Sequence, residues 1–203
     1  MSALPIVCLA RHGGTAWSVS HRHTGSTDLP LTPAGELEAI RLAAFLQGAA
    51  FAGVFTSPLQ RAVRTCELAG FGSAAAVEPD LREWNYGDYE GRTTTDIRAE
   101  RPDWQLFRDG CPGGESPEEI GMRADRVLRR VRAIGGDVLL FSSGHFLRVF
   151  AARWLGLPVG AGQYFPLGTA SLSRLGYEHG LSEPVILLWN QTAATSRESE
   201  LVS

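Results

Sequence analysis

Short apolar runs, each followed by a polar turn, recur along the chain and predict the strands of a sheet. The clearest runs cover residues 6–10, 54–57 and 137–141. Two further strand-like runs cover residues 170–175 and 184–189. Each run has the length of a strand and is too short for an ordinary helix. Apolar runs without alternating polar residues are typical of parallel strands that are covered on both faces.

Segments with helical spacing lie between these runs. Thr32 followed by Pro33 has the pattern of a helix N-cap with proline in the first turn, and it predicts a helix to about residue 47. Further helices are predicted from Pro58, over residues 117–134 and over residues 145–155. The alternation predicts an α/β fold, a three-layer α/β/α sandwich with a mostly parallel sheet. Its ligand site is expected at the C-terminal ends of the strands.

The length of 203 residues favours one domain over residues 1–203. Residues 79–116 are rich in glycine, proline, tryptophan and aspartate, and they predict an irregular excursion over the site. Residues 191–203 are polar and predict a frayed tail.

The composition indicates an ordinary soluble protein, with 44% hydrophobic and 20% charged residues. A net charge of -3 provides no field that would attract nucleic acid or an anionic membrane, so we expect neither as a partner. All 19 basic residues are arginine. The absence of lysine excludes lysine Schiff bases and the lysine of a Walker-type phosphate loop. Any bound phosphate is therefore expected to contact arginines, backbone amides and imidazoles.

Three cysteines, an odd number without metal-ligand spacing, argue against a disulfide framework or a zinc site. The N-terminal segment has no basic region or long apolar stretch typical of an export signal. A cytoplasmic location is therefore expected.

The turn Arg11-His-Gly-Gly-Thr15 directly after the first predicted strand is the strongest local indication of chemistry. It places an imidazole beside a guanidinium and allows the backbone to come close to a phosphoryl oxygen. An Arg-His-Gly sequence alone is common, and a solvated loop histidine is the simpler interpretation of His12 in isolation.

Several other segments occur in the same order as in a known family, and together they carry a resemblance. They are Arg11-His-Gly-Gly-Thr15, His23-Thr-Gly-Ser-Thr-Asp-Leu-Pro-Leu-Thr32, Thr56-Ser-Pro-Leu-Gln-Arg61, Asp80-Leu-Arg-Glu-Trp-Asn-Tyr-Gly-Asp-Tyr-Glu-Gly91, Arg108-Asp-Gly-Cys-Pro-Gly-Gly-Glu-Ser116 and Ser142-Ser-Gly-His-Phe-Leu-Arg148. The chain thereby resembles the histidine phosphatase superfamily, which includes the phosphoglycerate mutases. The fold implied is phosphoglycerate mutase-like.

Within that superfamily the chain looks most like bacterial acid phosphatases and sedoheptulose-bisphosphatase-like enzymes. The segment from Arg82 to Gly91 and the stretch beginning at Arg108 carry this likeness. A mutase is less favoured, because mutases of the superfamily have a longer middle insertion with lysine, and this chain contains no lysine.

The resemblance implies a role for each matching residue. His12 corresponds to the nucleophile that becomes a phosphohistidine, Arg11 and Arg61 to residues that hold the phosphoryl oxygens, and Glu83 to the proton donor. The residues implied to bind substrate are Thr24, Gly25, Ser143 and Gly144. The mechanism implied needs neither a metal nor another cofactor. Simpler roles stay open: Glu83 could pair with Arg82, and Thr24 and Gly25 could only form a turn.

The chain departs from the family pattern at three positions. Ser143 stands where the family has a second catalytic histidine, and His145 matches a later, noncatalytic histidine. Gly14 replaces the usual acid or amide, and His21 replaces a frequent glycine. A serine hydroxyl is shorter than an imidazole and cannot carry its positive charge, so impaired turnover is expected. A replacement imidazole from His21 is a further alternative.

The expected function is a metal-independent phosphomonoesterase acting on a small phosphorylated metabolite. The alternatives are a degenerate phosphatase that binds inorganic phosphate or another anion without turnover, and a family member recruited to another reaction. A homodimer is left open.

Overall fold

A computed structural model describes residues 4–193 of the chain. Within this range the strands are β1 Val7–Arg11, β2 Gly53–Thr56, β3 Ala75–Val77, β4 Val138–Ser142, β5 Leu172–Tyr177 and β6 Pro184–Gln191. The α-helices are α1 Ala16–Val19, α2 Pro33–Leu46, α3 Gln60–Leu68, α4 Thr94–Glu100, α5 Leu106–Asp109, α6 Pro117–Ile134 and α7 Gly144–Trp154.

The described strands form one sheet in the order β3-β2-β4-β1-β5-β6. The first four strands in this order run parallel to one another, whereas β5 and β6 are antiparallel to their neighbours. The α/β prediction and the mostly parallel sheet are confirmed. β1 and β4 occupy the centre of the sheet, and every residue of β4 is buried.

Alternate residues of the central strands pack into two different hydrophobic clusters. Leu9 and Leu140 belong to a cluster that includes residues of α6 and α7. Ala10 and Phe141 belong to the other cluster, which includes residues of α2 and α3. Successive side chains of a strand point to opposite faces. The sheet is therefore covered on both faces, and this arrangement is the predicted three-layer sandwich.

The predicted elements agree with the structure within a few residues, but several described elements were not predicted. They include α1, β3 and the 3₁₀ helix Val159–Tyr164. β3 was not predicted, because Ala75–Val77 is short, rich in alanine and partly exposed at the edge of the sheet. The helix expected from Pro58 begins at Gln60, because Ser57 to Leu59 form an extended turn after β2.

The excursion 79–116 contains α4, α5 and two 3₁₀ turns, Pro79–Leu81 and Gly87–Tyr89. The predicted tail begins inside β6, and residues 194–203 lie outside the described part. The three cysteines, Cys8, Cys66 and Cys111, are buried and unpaired. Among the described helices, none combines the length and the apolar character needed to span a bilayer.

Candidate active site

The C-terminal ends of three parallel strands meet at one edge of the sheet. Arg11 at the end of β1 is in register with Ser142 at the end of β4, and Thr56 at the end of β2 is in register with Phe141. His12 and Ser143 directly follow β1 and β4, and Arg61 lies in the first turn of α3, after β2. The parallel register of the strands therefore brings segments that are far apart in sequence to the same edge of the sheet, as the fold class predicts.

His12 is held as a neutral imidazole with one free nitrogen. Its side chain is 4% exposed, and its Nδ1 lies 2.8 Å from the carbonyl oxygen of Gly13. Because a carbonyl oxygen only accepts, Nδ1 carries the proton and donates it, which leaves the lone pair on Nε2. Burial, with smaller contributions from Arg11 and Arg61, lowers the pKa of His12 well below 6.5. The imidazole therefore remains unprotonated at neutral pH.

Close packing fixes the loop that carries His12. A Cβ atom on Gly13 would lie 2.2 Å from the carbonyl oxygen of Gly35, at the start of α2, so only glycine fits there. The Gly13 amide also donates to Oγ1 of Thr65 in α3, at 3.0 Å. Thr65 in turn donates to the Arg61 carbonyl, at 2.7 Å, and so links the histidine loop to the helix that carries Arg61.

Arg61 is fully buried beneath the loop of residues 24–27. Its guanidinium donates to the carbonyl oxygens of Thr24, Gly25 and Thr27 at 2.9–3.0 Å. Its Nε has no hydrogen-bond partner in the described structure. Glu90 fixes the same loop by accepting from the amides of Gly25 and Thr27. A buried N–H donor without a partner is unfavourable, so it is a candidate contact for an anion.

Arg11, like Arg61, has a buried Nε–H that is available to an anion. Its Nη1 donates to the carbonyl of Leu167, while its buried Nε has no partner among the described groups. The guanidinium passes directly over Gly144, where an added Cβ would lie 3.1 Å from Nε. Glycine at the first position of α7 therefore allows Arg11 to reach the site.

Glu83 is bound to the start of α7 by backbone amides. Oε1 accepts from the amides of Trp84 and Phe146, both at 2.8 Å, and Oε2 accepts from the amide of His145, at 2.9 Å. The positive end of a helix favours a carboxylate at this place. Among the described ion pairs Glu83 has none with Arg82, so the simpler pairing is not what the structure contains. Three amides instead fix the carboxyl group at the pocket wall.

Ser143 occupies the N-cap position of α7 without capping it. A serine at this position normally accepts from the amides of the first turn, but Glu83 already binds those of His145 and Phe146. The hydroxyl is consequently buried without a partner in the described structure, and the residue is 0% exposed. Helix capping thus does not account for this serine.

A pocket of about 260 Å³ opens above these residues. It is lined by Arg11, His12, Ser18, His21, Arg22, His23, Thr24, Glu83, Tyr86, Thr94, Gly144, His145, Arg148 and Leu167. Three arginines and one carboxylate give the lining an excess of positive charge, which suits an anionic ligand. Of the predicted site residues, Arg61, Ser143 and Gly25 are not part of this lining. Arg61 and Ser143 are fully buried, whereas Gly25 lines a neighbouring pocket.

The groups through which Thr24 and Gly25 would bind substrate already make hydrogen bonds within the protein. The Gly25 amide already donates to Glu90, at 2.8 Å, and the Thr24 hydroxyl donates to the Arg22 carbonyl, at 3.1 Å. The direct role of their carbonyl oxygens is to accept from Arg61. Their binding of substrate stays a prediction, and Thr24, which lines the pocket, is the better candidate of the two.

Several pocket residues were not among the predicted site residues. Tyr86 lines the pocket, and so does His145, which matches a noncatalytic histidine of the family. Arg148 lies three residues after His145 on α7, a spacing that places both on one helix face and could have indicated it. His23 belongs to a segment that the sequence singled out, yet nothing in its pattern distinguished this imidazole from a turn residue.

His21 adopts a backbone conformation that favours glycine. Its φ is +57°, and the exposed side chain stands at the pocket mouth. A left-handed conformation is unfavourable for a side chain with a Cβ. Glycine has no Cβ and adopts this conformation without strain, so it suits this position.

Replacing His21 with glycine should stabilise the protein by roughly 1 kcal/mol, because the strain disappears. Thermal unfolding of both proteins would measure the gain. The control is His179→Gly, an exposed histidine without a positive φ, where glycine should bring no stabilisation. A lower melting temperature for His21→Gly would contradict this interpretation of the backbone.

Comparison with known proteins identifies the family of this chain. The family model described as "Histidine phosphatase superfamily (branch 1)" matches residues 7–192. An acid phosphatase of Mycobacterium tuberculosis is 42% identical over 184 residues, which cover 88% of this chain and 90% of that protein. Sedoheptulose 1,7-bisphosphatase of Saccharomyces cerevisiae is 38% identical, with 78% of this chain and 70% of that protein covered.

A solved structure shares the fold over nearly the whole chain. It belongs to an open reading frame product of Mycobacterium tuberculosis, with a TM-score of 0.88 and 38% identity, and the match covers 93% of this chain and 98% of the other. The fold and the pocket thus define an α/β protein of the phosphoglycerate mutase-like type. The chain belongs to the histidine phosphatase superfamily, and the phosphatase names of its relatives support a phosphoric monoester hydrolase.

Proposed function

We propose that this protein is a metal-independent phosphomonoesterase in which His12 attacks the phosphorus of a small phosphorylated metabolite. The observation that carries the proposal is the hydrogen bond from Nδ1 of His12 to the Gly13 carbonyl, at 2.8 Å. It leaves a lone pair on Nε2 in a pocket that has a positive charge excess. A neutral nucleophile beside fixed cations is what attack on a phosphate ester requires.

Arg11 and Arg61 would neutralise the charge on the phosphoryl oxygens. Both have a buried Nε without a partner in the described structure, while Nη1 of Arg11 and both Nη atoms of Arg61 donate to carbonyl oxygens. Arg11 lines the pocket and would bind an incoming phosphate directly, whereas Arg61, buried beneath the loop of residues 24–27, would contribute its positive charge from below. Preorganised donors of this kind are the usual source of rate enhancement in phosphoryl transfer.

Glu83 would complete the two-step reaction. As Nε2 of His12 forms its bond to phosphorus, the ester P–O bond breaks and the leaving alkoxide takes a proton from Glu83. Glu83 must enter this step as the carboxylic acid, although its three amide contacts favour the carboxylate that the step leaves behind. Water then attacks the phosphohistidine, its proton passes to Glu83, and the P–N bond breaks to release phosphate. The three amides that hold the carboxyl group keep it at the pocket wall throughout both steps.

The size and lining of the pocket support a small polar substrate. A volume of about 260 Å³ lies below that of pockets for drug-sized ligands, and Leu167 is the one aliphatic side chain in the lining. The relatives named acid phosphatase and sedoheptulose 1,7-bisphosphatase favour a metabolite phosphate, with a sugar phosphate as the first choice. A cytoplasmic location and independence of nucleic acid and membranes remain predictions, and the oligomeric state stays open.

The alternative function is anion binding without turnover. Ser143 favours it, because the hydroxyl is buried and short where the family places an imidazole. A test is to mix the protein with a ³²P-labelled ester, quench rapidly and analyse label on His12 together with phosphate release. A base-stable label and continuing release support the phosphatase. Saturable phosphate binding without label or release would establish the binder, and a different product would indicate a recruited reaction.

Removal of metal ions should leave the activity unchanged. The protein does contain a group of candidate metal ligands, the exposed Glu178, His179 and Glu183, whose ligand atoms lie within 4.8 Å of one another. None of these three is among the residues that line the pocket. Rates measured before and after dialysis against EDTA should therefore agree. A loss that added Mg²⁺ or Zn²⁺ restores would overturn the metal-independent mechanism.

A further inference from the structure

The proposed reaction leaves unexplained a hydrogen-bonded pair of side chains on the pocket wall. Oη of Tyr86 lies 2.6 Å from Nδ1 of His145, and both residues line the pocket. Tyr86 is 1% exposed, and its hydroxyl has no second partner in the described structure. A buried hydroxyl needs an acceptor for its proton, and Nδ1 of His145 is the acceptor available.

This contact determines the tautomer of His145. Since Nδ1 accepts from Tyr86, the ring proton must be on Nε2. Burial raises the pKa of Tyr86 well above 10 and lowers the pKa of His145 well below 6.5, with Arg148 the next contributor for the histidine. The tyrosine therefore keeps its proton and the imidazole stays neutral. The Nε2–H group has no protein partner among the described residues and is left as a hydrogen-bond donor.

A second neutral imidazole lies beside the first. The ring centroids of His23 and His145 are 6.0 Å apart, and Nε2 of His23 lies 3.3 Å from Oγ1 of Thr94. Burial lowers the pKa of His23 to about 4. This part of the wall therefore offers uncharged donors and acceptors rather than additional positive charge.

The neighbouring arginines are already bound to the backbone. Arg148 donates to the carbonyl oxygens of Gly162 and Gln163, and its guanidinium lies 4.6 Å from the centre of the Phe107 ring. Arg22 donates to the carbonyl of Gly91, at 2.8 Å. Both positive charges contribute to the field, but their geometry is set by the protein. The two neutral imidazoles thus supply the hydrogen-bonding groups of this wall that suit uncharged hydroxyl groups.

We propose that His145, oriented by Tyr86 and accompanied by His23, is a subsite for the hydroxyl groups of a phosphorylated polyol. The inference rests on the proposed function, since it concerns the alcohol part of the same ester. His145 touches substrate in this arrangement, whereas Tyr86 is a positioning residue that acts through the histidine tautomer. The site thus selects a polyhydroxylated alcohol by direct hydrogen bonds.

The test compares two esters of equal carbon number, ribose 5-phosphate and pentyl phosphate, which differ in their hydroxyl groups. The measured quantity is the ratio of their kcat/KM values. His145→Asn places an amide oxygen near the position of Nδ1, so the Tyr86 contact persists while the Nε2–H donor is lost. The ratio should fall roughly tenfold. His145→Gln, whose amide nitrogen reaches about the position of Nε2, should restore part of it.

Tyr86→Phe provides the readout for positioning. It should lower the ratio in the unmodified chain and have no further effect in the His145→Asn background. The ¹⁵N shifts of His145 should indicate an unprotonated Nδ1 in the unmodified protein and a changed tautomer population in Tyr86→Phe. His179→Gln, an exposed histidine hydrogen-bonded to Glu183, is the matched control and should leave both esters unaffected.

Failure of the subsite can be distinguished from failure of the proposed reaction. If neither ester is hydrolysed, the reaction proposal fails. The subsite is then tested by the ratio of the dissociation constants of the two esters, measured by calorimetry. An equal ratio in the unmodified chain and His145→Asn would overturn the subsite. A proton found on Nδ1 of His145 would overturn it as well.

Discussion

Replacement of His12 by alanine should lower kcat/KM for p-nitrophenyl phosphate by at least about 10⁴-fold, because it removes the atom that bonds to phosphorus. In the structure that atom is Nε2 of His12, whose lone pair is free because Nδ1 makes the hydrogen bond to the Gly13 carbonyl. Arg11 and Arg61 remain in place in the variant, so inorganic phosphate should still bind. Steady-state rates and phosphate binding by calorimetry would separate the loss of chemistry from the loss of the site.

The matched control for this experiment is His179→Ala. His179 is an exposed histidine that pairs with Glu183 at 2.7 Å. It should retain the rate of the unmodified chain, since it does not line the pocket. A His12→Ala protein that hydrolyses the ester at a rate close to that of the control would rule out His12 as the nucleophile. Loss of phosphate binding in His12→Ala would instead indicate that the pocket itself has changed.

Replacement of Ser143 by histidine should raise kcat by about 10²–10³-fold, the usual effect of one donor to a developing oxyanion. The position lies at the N-terminus of α7, next to the glycine over which Arg11 passes. The serine hydroxyl has no partner in the described structure, so no existing hydrogen bond is lost. An imidazole there would add a donor to the phosphoryl oxygens, whose charge Arg11 and Arg61 are proposed to neutralise. The assay compares aryl and metabolite phosphates in both proteins.

The control for this gain is Ser182→His, which adds an imidazole at an exposed position near the hairpin between β5 and β6. It should not change kcat. Since Ser143 is fully buried, the folding of Ser143→His is checked by its melting temperature and by phosphate binding. A folded variant that binds phosphate and gains no turnover would indicate that the pocket has been recruited to another reaction.

Much of the fold could be predicted because local signals and the global arrangement agree. The helix predicted over residues 117–134 has the same limits in the structure, since a serine N-cap, proline in the first turn and a left-handed Gly135 mark its ends. The strand at residues 138–142 was evident from its continuous apolar run. β3 was missed because three partly exposed residues at a sheet edge have no distinctive pattern. Their conformation depends on pairing with β2.

The sequence proposed site residues where they match a family motif, but it could not predict contacts between distant segments. His12, Arg11, Arg61 and Glu83 were proposed from their match to ordered motifs, and Ser143 from its departure from the last of them. The Ser143 hydroxyl could be expected to cap α7. Only the structure places the Glu83 carboxylate, 60 residues earlier in the chain, on the amides it would cap.

The amino-acid sequence by itself determined the α/β class, the order of the elements and the identity of the proposed nucleophile. These depend on hydrophobic periodicity, helix-end signals and short motifs, all of which act over a few residues. Tertiary structure decided which nitrogen of His12 is free and which polar atoms are buried without partners. It also decided the hydrogen bond between the Tyr86 hydroxyl and Nδ1 of His145 in the pocket. Such properties arise from burial and from hydrogen bonds between segments that only the folded sheet brings together.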